Sequence, residues 1–265
     1  MLPFLEGLRP TLHISHRGGA ALAPENTMAA FESAVSRFRT DMLELDVHAT
    51  RDGEIVVAHD ATLERCTDAV EPIADRSFAD LERVDAGYRF TPDGGNSWPF
   101  RGRGVRIPRL EDVLRAFPTL RVNLEVKPDA PGLEATVVDV VRRSGASSRV
   151  CIGSESDAVA ARLLRAFPEA CHFYPRQALT DAVLAIREGR AVPDSPFAVL
   201  DMPLTFFGTR LVDPALLGAA SAAGKWVNVW TVDDPDEMRW CIENRVGGVM
   251  TDRPDLLRQA IDAAG

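Results

Sequence analysis

The sequence predicts an α/β fold closed as a (β/α)8 TIM barrel, with an insertion between its second and third barrel strands. Three observations lead there. The chain has 265 residues, 46% of them hydrophobic, a length that suits one barrel of about 250 residues as well as it suits two ordinary domains. From residue 12 onward, eight short β-rich apolar runs alternate with eight amphipathic stretches, the rhythm of a parallel barrel. No composition break, internal repeat or low-complexity segment interrupts that rhythm, so 1–265 reads as a single domain. Disordered and collagen-like classes are excluded by the same composition.

The first strand is predicted over 12–15 and the first helix over 27–38, with Asn26 and Thr27 as its N-cap. The second strand covers 42–47. ThrArgAspGly at 50–53 is a turn signal, so 54–59 reads as an extra strand folding back as a hairpin. The insertion, 67–108, is rich in Gly, Pro and Asp, and 91–104 within it has no periodicity. An insertion of this length in a barrel is expected to be a functional loop or a lid over the mouth. Helix 110–116 restores the alternation. Strands follow at 120–126, 149–152, 170–174, 197–200, 226–230 and 247–250, with helices at 132–144, 157–166, 180–188, 214–223, 235–244 and 254–263. Pro214, Pro235 and Pro254 stand where a first-turn proline is tolerated. Asp213 and Asp234 precede two of them as N-caps, and Asp252 is expected to cap the last helix.

Composition narrows the function classes. A formal net charge of −9 argues against nucleic-acid partners and a polybasic membrane anchor, since both need clustered Lys and Arg. The N-terminus, MLPFLEGLRP, lacks a secretory signal's basic n-region and apolar stretch, and no run reaches the roughly 18 apolar residues of a membrane span. Cys66, Cys151, Cys171 and Cys241 lie far apart with no CxxC spacing, which fits reduced thiols in a cytoplasmic protein.

In such barrels the chemistry gathers at the C-terminal ends of the strands. His16 and Arg17 end the first strand. Glu44 and Asp46, two apart on the second, point to one face, and Glu125 and Lys127 are paired likewise on the third. Carboxylates converging on a mouth call for a partner. An all-oxygen set favours one hard divalent cation, Mg²⁺ or Ca²⁺, whereas a salt-bridge network with Arg17 and Lys127 is the alternative. His16, and His59 at the end of the hairpin, could serve as general acid and base near neutral pH. Arg17 and Lys127 make the site suitable for a phosphoryl group.

The same residues carry a resemblance. HisArgGly at 16–18, ProGluAsnThr at 24–27, GluLeuAspVal at 44–47, ThrArgAspGly at 50–53, HisAsp at 59–60, LeuGluValLys at 124–127, AsnValTrpThr at 228–231 and ThrAspArgPro at 251–254 run in the order seen in the glycerophosphodiester phosphodiesterase family, over nearly the whole chain. The chain resembles that family everywhere except at 91–104. The resemblance implies that His16 and His59 are the acid–base pair, that Glu44, Asp46 and Glu125 hold the metal, and that Arg17 and Lys127 contact the phosphate. It also implies a small glycerophosphodiester substrate, with sn-glycerol 3-phosphate and an alcohol as products, and it supports Trp230 as a wall for the glycerol carbons. Whether water attacks directly, or the glycerol 2-hydroxyl first forms a cyclic phosphate, stays open.

Other residues read more plainly. Glu25 is a candidate supporting partner of the site. His48 is expected in solvent past the strand end, and His13 and His172 in the core. Phe206 and Phe207 are either an apolar lip or loop anchors. Two rival functions stand beside the first. One is a lipid-directed, phospholipase D-like enzyme, for which the sequence shows no apolar stripe, although Trp98, Pro99 and Phe100 keep the idea open. The other is a non-catalytic phosphate-binding barrel. The oligomeric state is not legible.

Overall fold

The structure, a computed structural model, describes residues 2–127 and 132–265. In chain order the elements are β1 (Leu12–Ser15), α1 (Met28–Ser36), β2 (Met42–Ala49), β3 (Ile55–Val57), α2 (Phe78–Leu81), α3 (Leu110–Ala116), β4 (Arg121–Val126), α4 (Leu133–Arg143), β5 (Val150–Gly153) and α5 (Asp157–Ala166). There follow β6 (Cys171–His172), α6 (Arg176–Arg187), β7 (Val199–Pro203), β8 (Thr205–Phe206), β9 (Thr209–Arg210), α7 (Pro214–Ala222), β10 (Trp226–Trp230), α8 (Pro235–Glu243), β11 (Gly248–Thr251) and α9 (Pro254–Ala264). Eight parallel strands pair in the order β6-β5-β4-β2-β1-β11-β10-β7. A parallel bridge between Phe173 and Val199 brings β6 and β7 together, so the (β/α)8 barrel is nearly closed.

Strand alternation sorts the side chains into two cores. On β2, Leu43, Leu45 and Val47 pack outward among the apolar residues of α3 and α4, while Met42 packs inward with Ile14, Cys151 and Cys171. Phe4, on a short 3-10 turn, joins this inner cluster, and Arg121 Nε donates to its carbonyl at 2.9 Å. One residue pair above Met42 on the inward face come Glu44 and Asp46.

The caps divide into those read correctly and one that moved. Asp213 accepts from the Leu216 amide, Asp234 from the amides of Asp236 and Glu237, and Thr27 from the Ala30 amide, as helix N-caps do. Asp252 does not cap the last helix: Arg253 holds the N-cap of α9, and the Asp252 carboxylate turns to His16. Asn26 likewise sits outside the helix, with φ 57. Helix α6 starts a turn before 180, because Pro175 at the N-cap has no N–H to leave unpaired and residues 176–180 show no apolar period.

The insertion is not a lid. Leu63, Ile73, Phe78, Leu81, Ala86 and Ile107 bury themselves against Val56 of β3, forming a separate small core beside the barrel. Within 91–104, Asp93 gathers Thr91, Asn96 and Ser97 into a turn, and Arg101 stacks on Tyr88 and Trp98. Among the residues lining the large cavity at the barrel mouth, none comes from 67–108.

Candidate active site

The turn after β1 sets the geometry. His16, Arg17 and Gly18 form a tight 3-10 turn in which Arg17 has φ 52 and Gly18 φ 83. A Cβ on Gly18 would lie 2.7 Å from the Ala30 Cβ and 2.9 Å from the Phe31 ring, so only glycine lets this turn press against α1. The turn points the Arg17 amide at Glu44, donating to Oε2 at 3.0 Å. It also brings His16 between two carboxylates. Nδ1 donates to Asp252 Oδ1 at 2.7 Å, and Nε2 is 3.8 Å from Glu44 Oε2. Burial works to lower the His16 pKa, but the Asp252 hydrogen bond and the nearby negative charges outweigh it, so the net direction is up.

His59 is held by the same device from the other side. Its Nδ1 donates to Asp60 Oδ1 at 2.6 Å, and His48, buried and not in solvent as expected, donates through Nε2 to the His59 carbonyl at 3.0 Å. Arg65 donates to Asp60 and, through both terminal nitrogens, to the two oxygens of Glu25 at 2.7 Å. Glu25 in turn accepts from Arg17 Nη1 at 3.1 Å. An ionic chain therefore runs from Arg17 to His59. Burial would raise the Asp60 pKa, but the bonds from Arg65 and His59 hold it at about 2. The His59 pKa is lowered, chiefly by burial.

Between them lie the carboxylates. Asp46 and Glu125 are register neighbours on β2 and β4, and Lys127 Nζ bridges them at 2.8 and 2.7 Å. Asp46 also accepts from Asn26 Nδ2 at 3.0 Å and has Arg17 Nε at 3.5 Å. Against the pull of burial, Lys127 and Arg17 keep its pKa low. Glu125 goes the other way, raised by burial in spite of Lys127. Glu44 is pushed up to about 8 by burial and by the charge of Asp46. Among the described residues no group of three acidic, His or Cys side chains is already spaced as a cage for an ion. The donor set nonetheless suits a hard divalent cation. It is all oxygen, and Glu44 has no Lys or Arg side chain bonded to it to balance its charge.

All the predicted residues, His16, Arg17, Glu44, Asp46, His59, Glu125, Lys127 and Trp230, line one cavity of about 790 Å³. Sequence reasoning missed Asn26, Asp60, Arg65 and Asp252 as partners. Three of these stand inside motifs already quoted, next to residues that were chosen. It also passed over Asp201, which faces the barrel interior from β7 and accepts from Asn123 Nδ2 and Asn228 Nδ2, each at 2.8 Å. Burial pushes Asp201 up to about 7 against those two donors. His13 and His172 are core residues as expected, bonded to the Pro254 and Phe167 carbonyls.

Comparison with known proteins agrees with this geometry. The chain is 32% identical to "Probable glycerophosphodiester phosphodiesterase 2" of Mycobacterium tuberculosis, over 99% of this chain and 96% of the relative. It is 28% identical to the human "Lysophospholipase D GDPD1", over 93% of this chain and 84% of the relative. It shares its fold, at a TM-score of 0.73 and 24% identity over 96% of this chain and 97% of the other, with an Oleispira antarctica phosphodiesterase solved in complex with the product sn-glycerol-3-phosphate. From His16, which opens the site, to the helix that follows its partner Asp252, residues 16–256 match the glycerophosphoryl diester phosphodiesterase family, and the chain belongs to that family of enzymes.

Proposed function

We propose that the chain hydrolyses glycerophosphodiesters to sn-glycerol 3-phosphate and an alcohol, with His16 and His59 as the acid–base pair. The observation that carries this reading is that both histidines line the same cavity as the Glu44, Asp46, Glu125, Arg17 and Lys127 cluster. Each histidine has Nδ1 bonded to a carboxylate. The other ring nitrogen is thereby left for substrate, in a fixed tautomer. One ring takes the proton from the attacking oxygen, and the other protonates the departing alkoxide as its bond to phosphorus breaks. In this reading the glycerol 2-hydroxyl attacks first and water then opens the cyclic phosphate. Arg17 and Lys127 contact the phosphate oxygens, whose charge grows in the transition state, and Trp230 walls the glycerol carbons. Glu44, Asp46 and Glu125 would hold one divalent cation, Mg²⁺ or Ca²⁺, which when bound adds charge neutralisation at the same oxygens.

The reading includes one domain over 1–265 and a cytoplasmic location, which the four free cysteines support. Among the described residues no helix is long and apolar enough to cross a membrane. Assays with glycerophosphocholine and glycerophosphoethanolamine test the function. Turnover is expected to stop on exhaustive chelation and return with Mg²⁺ or Ca²⁺. His16→Ala and Glu44→Ala should each lower it by about 10² or more with the fold intact. Activity untouched by chelation would overturn the metal assignment. A variant at normal rate would remove that residue from the site, and absence of a cyclic phosphate in rapid-quench samples would remove the two-step route. A second reading, action on a lipid as in the name of the human relative, is favoured by the apolar side of the same cavity.

A further inference from the structure

The cavity has two unlike ends. One is the ionic cluster. The other is walled by Leu179, Val183 and Leu184 of α6, by Phe206 of β8 and by Leu211, with Trp230 between the two ends. Glycerol, phosphate and a small head group have no use for that second wall, and about 790 Å³ lies in the range of roughly 300–1,000 Å³ that encloses much larger ligands. The rim beside it is apolar too: Leu184 is 51% exposed, Phe206 55% and Phe207 93%. The last two form the tip of the β8–β9 hairpin, with ring centroids 4.5 Å apart. Phe207 (φ 46) and Gly208 (φ 76) are both left-handed there. This turn ordinarily takes Asn-Gly. A bulky aromatic in its place is unfavourable for the backbone and, in water, for the side chain.

We infer that the apolar end holds the single acyl chain of a lysophospholipid, and that the Phe206–Phe207 tip seats on the lipid surface from which that chain is drawn. The inference rests on the phosphodiesterase reading above. The polar end would receive the phosphate, and the chain would run along α6 to the exposed tip. Water adds across the phosphorus–oxygen bond to the head group, releasing the head-group alcohol and an acylglycerol phosphate. The acyl ester is untouched. With a net charge of −9 the chain is repelled by anionic membranes, so the surface it fits is zwitterionic.

The test compares glycerophosphocholine with octanoyl, decanoyl and dodecanoyl lysophosphatidylcholine below their micelle concentrations. kcat/KM should rise with chain length, by up to about fourfold per methylene. Leu184→Asp should flatten that rise, lowering the ratio of dodecanoyl to unacylated substrate by about tenfold. The double variant Phe206→Ser, Phe207→Ser should cosediment with phosphatidylcholine vesicles about tenfold less than the unaltered protein. Rates independent of chain length, with glycerophosphocholine turned over well, would overturn the inference and leave the phosphodiesterase reading standing. No turnover of either class overturns that reading and this inference with it. If the double variant instead turns a dimer into a monomer in sedimentation, the tip is a self-association surface and the lipid-docking claim is wrong.

Discussion

His16 and His59 are positioned alike, each ring tied through Nδ1 to a carboxylate that is itself anchored. Asp252 is fixed because its own amide and the Thr251 hydroxyl both donate to Asp233 at 2.8 Å. Asp60 is fixed by Arg65. A histidine whose tautomer is set this way presents one defined nitrogen, and losing the orienting group disables it without moving the backbone. Asp252→Asn is therefore expected to lower kcat by about 10- to 100-fold with a normal circular dichroism spectrum. It also removes one of the groups that raise the His16 pKa, so the limb of the pH–rate profile governed by His16 should shift to lower pH. A limb that stays put would show that Asp252 acts only structurally. These partners escaped a sequence reading because His16 and Asp252 are 236 positions apart.

At the level of elements, the β2–β3 hairpin carries His59 and the turn after β1 carries His16. What couples them is the Arg17, Glu25, Arg65 and Asp60 chain. Hairpin position is thus registered against the barrel by ions as well as by the β2–β3 ladder, which pairs Val47 with Val57. Arg65 is nearly half exposed, so its removal should leave the fold standing while freeing Asp60 and Glu25. Arg65→Ala is expected to reduce kcat by roughly tenfold, in line with the 10–100-fold usual for supporting groups. Its melting temperature should change little. An unfolded or fully active variant would each refute the positioning role. The hairpin itself was legible from ThrArgAspGly followed by an alternating strand. The packing of 67–108 was not, because its apolar residues follow no single period and become a core only against Val56.

The whole barrel places Asp201 at its centre, one residue from three strands at once. Asn228 is oriented by accepting from Trp226 Nε1 at 2.9 Å, and Gly248 leaves it room, since a Cβ there would fall 2.5 Å from Asn228 Oδ1. The Asn123 Oδ1 atom, by contrast, is buried with no hydrogen-bond partner. With its pKa at about 7 against an ordinary 3.8, Asp201 keeps a proton in the folded chain that the unfolded chain has lost. The stability linked to it is full below pH 3.8 and is lost as pH rises through 7. Asp201→Asn supplies the same donor permanently, and a flipped Asn123 amide can accept from it. The variant should melt several degrees above the unaltered protein at about pH 8 and close to it at about pH 5, a gain on the order of a few kcal/mol at most. A gain equal at both pH values would rule out titration of Asp201 as its source. At this scale the division is physical. Strand and helix periods, first-turn prolines, caps and the same-face spacing of Glu44 with Asp46 are local properties, and local chemistry in the sequence by itself determined the barrel and its ring of ionisable groups. Which carboxylate holds which histidine, which acid lies buried between two amides, and how α6 and the β8–β9 hairpin combine into an apolar wall depend on contacts between distant segments. Only the closed tertiary structure decided those, because no window along the chain contains both partners.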